Sequence, residues 1–290
     1  MAEQMNAKHV NKHRLLNRTQ RHNLIIGVIL GLILLIIMMP LYWAVSLSFD
    51  RAATTALPNF TWLPSQFTLL NYTYAFEQIP LARYFANTVM IAVVNTAISV
   101  FFALMCGYAF AKGRFFLKRF WYFFMLAVMM IPFESRMIPL YLQYLDWGLV
   151  NTYWPLIFGN VAYVYGIFFA TQNISALPDS LRESAFLDGA GEWKIFFSIV
   201  LPLSLPVMSA LSILQVVSQW NSYLWPMVII RNTNKQLLSV GISLFNATEN
   251  AVLYGPRFGA ALISAVPLVI LFLFLQKYIV QSIAMSGIKQ

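Results

Sequence analysis

The chain alternates long apolar runs with short polar stretches, and this alternation predicts its architecture. Six apolar segments can be drawn, with approximate limits at residues 24–49, 87–111, 120–133, 153–171, 197–223 and 258–280. The first has no charged residue and exceeds the roughly 20 residues that cross a bilayer as a helix. The third should continue past Glu134 and Arg136. We expect these two charges to pair at the membrane boundary, and contact with an anionic substrate stays open. The pattern predicts an all-α membrane protein with six transmembrane helices.

The composition agrees with a chain that lies largely in lipid. Hydrophobic residues make up 60% of the 290 residues and charged residues only 10%, whereas soluble domains carry about 25% charged residues. On a soluble protein the formal net charge of +9 would suggest nucleic acid as a partner. Here the basic residues lie mainly outside the apolar segments, so we expect the lipid bilayer as a partner and no nucleic acid.

The positions of the basic residues predict the orientation of the chain. With six spans, most of the 19 Lys and Arg residues fall on one side of the membrane: Lys8, Lys12, Arg14, Arg18, Arg21, Lys112, Arg114, Lys118, Arg119, Arg182, Lys194, Lys277 and Lys289. Cytoplasmic loops carry the excess of Lys and Arg, so both termini are predicted to be cytoplasmic. Residues 1–23 are expected to form a basic tail, and residues 24–290 the transmembrane domain.

The apolar body lacks the side-chain clusters that enzymes and metal sites need. Cys106 is the only cysteine, and the three histidines, His9, His13 and His22, all lie in the basic tail. The chain has no Gly-Lys dipeptide, and hence no Gly-x-x-x-x-Gly-Lys-Ser/Thr loop for a nucleotide. We therefore expect a protein that is not an enzyme, binds no cofactor of its own and leaves ATP hydrolysis to another subunit.

The connection between the fourth and fifth segments predicts a short helix. Asp179 and Ser180 follow a proline and can cap a helix start, with Glu183 three residues after Ser180. The helix should run from about residue 181 to 187. Its apolar positions can face a partner or the membrane: Leu181, Ala185 and Leu187.

A turn and a second short helix should complete this connection. Gly189 and Gly191 allow a sharp turn that residues with a Cβ resist. The second helix leads to Leu201-Pro202, where the proline can open the fifth membrane helix. The result is an elbow on the predicted cytoplasmic side. These residues alone leave open whether it is a simple connector or a docking element.

The spacing within this elbow resembles the EAA signature of ABC importer permeases. That signature reads Glu-Ala-Ala, three residues, Gly, nine residues, Ile, one residue and Leu-Pro. Here Glu183-Ser184-Ala185 is followed at the same intervals by Gly189, Ile199 and Leu201-Pro202. The one departure is Ser184 in place of the first alanine. The matching loop, residues 181–202, would be the coupling helix that docks on the ATPase subunit.

Further stretches resemble the carbohydrate-uptake branch of these permeases. They are residues 130–132, 138–141, 219–226, 276–280 and 287–290. The resemblance implies a subunit of a binding-protein-dependent importer in a bacterial or archaeal cytoplasmic membrane, with a di- or oligosaccharide as cargo. It also implies several partners: a homologous second permease, an ATPase dimer that holds ATP and Mg²⁺, and an extracytoplasmic binding protein. A polyol, glycerol phosphate or acidic oligosaccharide stays open as cargo, and a secondary carrier is the remote alternative.

Two sets of candidate site residues follow. By resemblance, the ATPase-docking residues are Glu183, Ser184, Ala185, Asp188, Gly189 and Ala190. Amide and aromatic side chains suited to sugars suggest a substrate pathway of Asn160, Tyr163, Gln215, Gln219, Trp220, Asn221 and Tyr223.

Polar side chains within the apolar segments leave two readings open. On the fifth segment Ser212, Gln215, Gln219 and Ser222 share one helix face, which fits either a pathway or hydrogen bonds between helices. On the second segment we expect four polar residues to serve packing: Asn87, Asn95, Thr96 and Ser99.

Overall fold

The computed structural model describes residues 18–54, 59–244 and 253–287, most of which are helical. The helices are α1 (Arg18–Ser48), α2 (Leu70–Gln78), α3 (Leu81–Lys112), α4 (Lys118–Val128), α5 (Phe133–Asp146), α6 (Trp154–Phe158), α7 (Val164–Ser175), α8 (Asp179–Leu187), α9 (Glu192–Ile195), α10 (Leu201–Leu203), α11 (Leu205–Trp220), α12 (Leu224–Ile229), α13 (Leu238–Leu244) and α14 (Tyr254–Gly287). A π-helical turn, Phe196–Val200, joins α9 to α10. The predicted all-α class is confirmed within these ranges.

Three helices are long and apolar enough to cross a membrane on their own. They are His22–Ser48 within α1, the whole of α3 and Tyr254–Phe274 within α14. Two bent pairs also qualify if each counts as one span: α4 with α5, at 96°, and Glu192–Leu203 with α11, at 75°. The fourth apolar segment is broken into α6 and α7, which are separated by residues 159–163. Length and composition thus support up to five spans in the described residues, and the sixth stays a prediction.

The start of the fifth membrane helix differs from the prediction. Pro202 lies inside α10 and does not open the long helix, which begins at Leu205 after a bend at Ser204. The physical reason is Pro206, the second residue of α11. A proline has no N–H for a bond to the carbonyl four residues earlier, and its ring clashes with that turn, so the helix breaks before it.

Helix α3 lies at the centre of the bundle and packs closely against α7 and α11. Its approach to α7 depends on Gly107, where a Cβ would lie 2.5 Å from the Ala170 Cβ. Because only glycine lacks that atom, the two backbones can pack at this distance. The apolar cluster at this contact contains Leu104, Ala170 and Ile174 on α3 and α7, with Leu211 from α11.

Asn95 of α3 joins three parts of the bundle. Its Nδ2 donates to the carbonyl oxygens of Ile157 (2.6 Å) and Leu156 (3.4 Å), at the end of α6. Its Oδ1 accepts from Gln215 Nε2 of α11 at 2.8 Å. One turn on, Ser99 Oγ donates to the Asn160 carbonyl at 3.2 Å. The prediction that Asn95 and Ser99 serve packing is confirmed, since their hydrogen bonds satisfy the carbonyls exposed by the break between α6 and α7.

Asp50 organises the connection between α1 and α2. The carboxylate is 1% exposed and accepts from Ser65 Oγ (2.7 Å), Ser65 N (3.0 Å) and Ala52 N (2.9 Å). Burial acts to raise the pKa of Asp50, but these hydrogen bonds to the ionised form outweigh it, so the pKa lies below its ordinary value. Asn71 of α2 donates to the Ser48 and Asp50 carbonyls at 3.0 and 2.9 Å, and so caps the end of α1.

Replacing Asn95 should destabilise the fold. Asn95→Leu leaves the Ile157 carbonyl and the Gln215 amide without this partner, which should lower the unfolding free energy by about 2 kcal/mol. Thermal unfolding of the detergent-purified protein measures the loss. The control is Asn173→Leu, because within the described residues the Asn173 amide donates only to the Phe169 carbonyl of its own helix. Equal losses in both variants would contradict the junction role of Asn95.

The Asp50 site predicts a pH dependence. Because its pKa is lower in the folded chain than the ordinary 3.8, ionised Asp50 stabilises the fold fully above that value. The contribution is lost as the pH falls through the folded-state pKa. Asp50→Asn should therefore flatten the fall in unfolding free energy below pH 3.8, as followed by urea titration. The exposed carboxyl in Asp146→Asn serves as control, and an unchanged acid profile in Asp50→Asn would refute the assignment.

Candidate functional site

The predicted elbow is present as α8, a turn at Gly189 and the helix that starts with α9. Gly189 has φ +76°, the left-handed conformation that favours glycine. The Ala190 N–H donates to the Ala185 carbonyl (2.9 Å) and the Gly189 N–H to the Phe186 carbonyl (3.0 Å). This pair of bonds is a Schellman motif, which satisfies the last carbonyls of α8. The predicted turn at Gly189 is confirmed.

Two local details of the elbow differ from the prediction. Gly191 has φ −77° in extended backbone, so the turn does not require a glycine there. The capping box is also wrong: α8 starts after Pro178 without a side-chain cap. The Asp179 carboxylate instead accepts from Lys112 Nζ of α3 at 2.6 Å, because the ammonium charge attracts it more strongly than a backbone N–H. The Lys112 contact holds the pKa of Asp179 below its ordinary value.

The structure divides the six predicted docking residues between two faces. Glu183, Ser184, Asp188 and Gly189 are exposed, whereas Ala185 and Ala190 are half-buried. The two alanines pack against the apolar cluster that contains Ile195, Phe196 and Val200. Their small size therefore brings the elbow close to its own chain, while the other four residues remain available to a partner.

The exposed face of the elbow is apolar at its tip. Leu187 is 89% exposed and Trp193 is 65% exposed. Phe186 and Leu181 are also exposed. The sequence identified Leu181 and Leu187 for such a role but missed the two aromatic residues. Their signal was available, since large apolar side chains beside Glu183 and Glu192 are unusual in a short connector without a partner.

Five polar side chains link the elbow to α3 and its two arms to each other. Lys112 Nζ donates to the Leu177 carbonyl at 2.7 Å as well as to Asp179. Tyr108, one turn earlier on α3, donates its hydroxyl to Glu192 at the start of α9. Glu192 also forms an ion pair with Arg182 of α8. Sequence reasoning did not find this set, because its members are far apart in the chain.

The seven predicted pathway residues occupy different environments. Gln215, Gln219 and Trp220 are buried, Tyr163 and Tyr223 are half-buried, and Asn160 and Asn221 are exposed. The Trp220 indole donates to the Ser264 carbonyl of α14 at 3.1 Å and meets Phe85 edge-on. Trp220 is therefore a contact between helices in this chain.

Two of these residues belong to one polar junction. Gln215 reaches Asn95, and the Asn160 carbonyl reaches Ser99, which lies beside Asn95 on α3. At Gln215 the hydrogen-bonding reading of the polar stripe is thus confirmed. The exposed face of α11 lies elsewhere, at Leu214, Val217, Ser218 and Asn221.

The predicted ion pair between Glu134 and Arg136 is wrong. Both residues lie at the start of α5, but no salt bridge joins them. Glu134 is exposed and Arg136 is half-buried, because residues two positions apart point to different sides of a helix. The Arg136 Nε is buried and has no hydrogen-bond partner among the described residues.

Comparison with known proteins places this architecture in a class of transport proteins. The family described as binding-protein-dependent transport system inner membrane component matches residues 99–285, well over half of the chain. The chain belongs to this family and is a membrane permease subunit of an ATP-driven, binding-protein-dependent importer. The expectation that it is not itself an enzyme is confirmed by this membership.

Individual relatives agree with the family. An arabinooligosaccharides transport system permease protein of Halalkalibacterium halodurans is 36% identical over 227 residues, 78% of this chain and 81% of that protein. A diacetylchitobiose uptake system permease protein of Streptomyces coelicolor is 29% identical over 252 residues, 86% of this chain and 83% of that protein. The predicted likeness to carbohydrate-uptake permeases is confirmed.

A solved structure shares the fold. It is a bacterial ABC transporter involved in the import of the acidic polysaccharide alginate, and one of its chains superposes with a TM-score of 0.79 at 22% identity. The match covers 91% of this chain and 98% of that one.

The turn at Gly189 gives a paired test. Gly189→Ala places a Cβ at a positive φ, which costs roughly 1–2 kcal/mol for an L-residue. Gly191→Ala adds the same atom to extended backbone, and neither new Cβ would meet another atom within 4 Å. Hydrogen exchange at the backbone amides of positions 189 and 190 should become about tenfold faster in Gly189→Ala and stay unchanged in Gly191→Ala. Equal exchange rates in the two variants would contradict the claim that the turn requires glycine at position 189.

Proposed function

We propose that this chain is one of two homologous permease subunits that form the pathway of a di- or oligosaccharide importer. The importer lies in the cytoplasmic membrane of a bacterium or archaeon, in agreement with the inner membrane named in the family description. The chain would cross the membrane six times, with the broken pair α6–α7 as its fourth span. Both termini would be cytoplasmic, and residues 1–23 would form a basic tail in front of the permease domain.

The exposed tip of the elbow is the observation that carries the proposal. Leu187, which lies between Glu183 and Asp188 in the chain, and Trp193 both expose apolar surface. Such a surface favours a protein partner over water. The partner we infer is one subunit of an ATPase dimer, which holds ATP and Mg²⁺ and provides the hydrolysis that this chain cannot perform. Glu183, Ser184, Asp188 and Gly189 would contact it directly, while Ala185 and Ala190 set the elbow's distance from the body.

A neutral sugar is the cargo that the candidate pathway residues favour. Four of the seven are not enclosed in the bundle: Asn160, Tyr163, Asn221 and Tyr223. They are uncharged and combine amide groups with aromatic rings, which suit the hydroxyl groups and C–H faces of a sugar ring. Both relatives described above are named for oligosaccharide or disaccharide uptake. An extracytoplasmic binding protein would deliver the sugar.

Arg136 supports an acidic oligosaccharide as a second candidate cargo. Its buried Nε has no partner among the described residues, and a guanidinium is well suited to bind a carboxylate. The solved structure that shares this fold is described as importing an acidic polysaccharide. If the cargo is acidic, Arg136→Gln should weaken uptake, whereas uptake of a neutral sugar should be unchanged.

The docking assignment predicts the effect of a charge at the tip. Leu187→Asp should abolish recovery of the ATPase when the tagged chain is purified from detergent-solubilised membranes, and uptake of radiolabelled oligosaccharide should fall to background. The reason is that the aspartate must lose its hydration in an apolar contact. Immunoblotting and mass spectrometry measure the recovered subunits.

Leu63→Asp is the matched control. Leu63 is 71% exposed in the connection between α1 and α2, far from the elbow in the chain. It should retain the ATPase at the wild-type level. Full ATPase recovery by Leu187→Asp would refute the docking surface, and a wild-type chain that transports sugar without an ATPase would refute the importer proposal.

A further inference from the structure

The cytoplasmic end proposed for α3 holds both arms of the elbow. Tyr108 and Lys112 are four residues apart, so they lie on one face of the helix. Lys112 binds the arm before α8, through the Leu177 carbonyl and Asp179. Tyr108 binds the arm after α8, through Glu192. The two arms of one elbow are thus held by consecutive turns of one helix.

Arg182 closes the arrangement across the elbow. Its guanidinium pairs with Glu192 of α9 and lies 4.8 Å from the centre of the Phe186 ring. This links the middle of α8 to the start of α9 in addition to the turn at Gly189. The elbow is therefore fixed within itself as well as to α3.

An aromatic contact supports these polar ones. The Tyr108 ring lies 5.7 Å from the Phe196 ring, measured between centroids, and Phe101 meets Phe196 from the next turns of α3. Phe196 and Ile195 are buried. The second arm thus rests on α3 over about two turns, with Tyr108 contributing both its ring and its hydroxyl.

A displacement of the elbow could also be passed to α11, but that path is less direct. The helix that leaves the elbow bends by 75° before α11 begins. A displacement of α8 along that helix would therefore be poorly aligned with α11. By contrast, α3 continues without a break to its far end, where Asn87 and Thr88 bind the segment from Asn234 to Leu238.

We propose that Tyr108 and Lys112 are positioning residues that transmit a displacement of the docked elbow into α3, so that α3 and the elbow move as one body during transport. The inference rests on the proposed docking of an ATPase at α8. It assigns the first response to α3, the second apolar segment, and a later response to α11. Tyr108 and Lys112 do not contact the ATPase or the sugar.

Distances between spin labels test this motion directly. In a Cys106→Ser background, one label at Ser180→Cys on α8 is paired with Phe102→Cys on α3, or with Leu205→Cys at the start of α11, away from the junction between Gln215 and Asn95. All three positions are exposed or partly exposed. The complete importer is compared without nucleotide and with a non-hydrolysable ATP analogue. We expect the α8–α3 distance to stay constant and the α8–α11 distance to change.

Removing the two contacts should separate the movement of the elbow from that of α3. In Tyr108→Phe with Lys112→Gln, the α8–α3 distance should also change with nucleotide, and the sugar moved per ATP hydrolysed should fall roughly fivefold or more. The ATPase should still co-purify. The control, Tyr122→Phe with Lys118→Gln, removes the same groups from the neighbouring α3–α4 region, where they do not contact the elbow.

A charge exchange tests Arg182 and Glu192. Arg182→Glu and Glu192→Arg should each lower the sugar moved per ATP. The two together should restore part of it, because the ion pair between α8 and α9 is re-formed while Tyr108 has lost the carboxylate to which it donates. Partly exposed ion pairs of this kind add little to the stability of the fold. A rescue by the double exchange would therefore report on the coupling between the elbow and transport, and not on a repaired fold.

The outcomes separate this inference from the proposed function. Two results would overturn the coupling through α3 and leave the importer proposal intact. One is a wild-type amount of sugar moved per ATP in the variant Tyr108→Phe with Lys112→Gln. The other is an α8–α3 distance that changes with nucleotide in the wild-type protein. Loss of the ATPase from that variant would also overturn it, since the two residues would then shape the docking surface. A wild-type assembly that binds nucleotide but moves no sugar overturns the cargo, while the distances still decide the coupling.

Discussion

Backbone carbonyl groups inside an apolar bundle need hydrogen-bond donors, and the centre of this protein is arranged around that need. The fourth apolar segment does not form a continuous helix, so the end of α6 and the linker that follows it present carbonyls that no turn of helix satisfies. Asn95 and Ser99 of α3 donate to them. Without these donors the break would cost several kcal/mol in a membrane. The break, the position of α3 and the contact with α11 therefore depend on one another.

Helix α3 also makes the polar contacts that hold the segments at both ends of the bundle. At one end Tyr108 and Lys112 bind the elbow, and at the other Asn87 donates to the Asn234 and Gln236 carbonyls. Between them Gly107 lets α7 pack against the backbone of α3. A single helix thus carries the junction at the centre and polar contacts at both ends. The short elbow on the surface and the junction at Asn95 in the interior are therefore connected through one continuous helix.

The sequence was sufficient where local chemistry decides the structure. The apolar segments predicted helices, the turn required a glycine at position 189, and Asn95 and Ser99 were expected to serve packing. It was insufficient where distant residues meet. Asp179 looks like a helix cap until Lys112, from another segment, is placed beside it, and Arg136 does not pair with its neighbour Glu134. Pro202 and Pro206 are equally plausible helix starts by local rules, and the bend at Ser204 distinguishes them only in three dimensions.

The junction at Asn95 has a consequence for where a solute can cross. A channel opened between α3, α7 and α11 would have to separate Gln215 from Asn95 and expose the carbonyls of the broken segment. Each buried polar group left unpaired costs about 1–3 kcal/mol. A channel along the exposed face of α11, at Ser218 and Asn221, breaks none of these bonds. The least costly opening therefore lies along this exposed face of the subunit, and it leaves the hydrogen bonds of the interior intact.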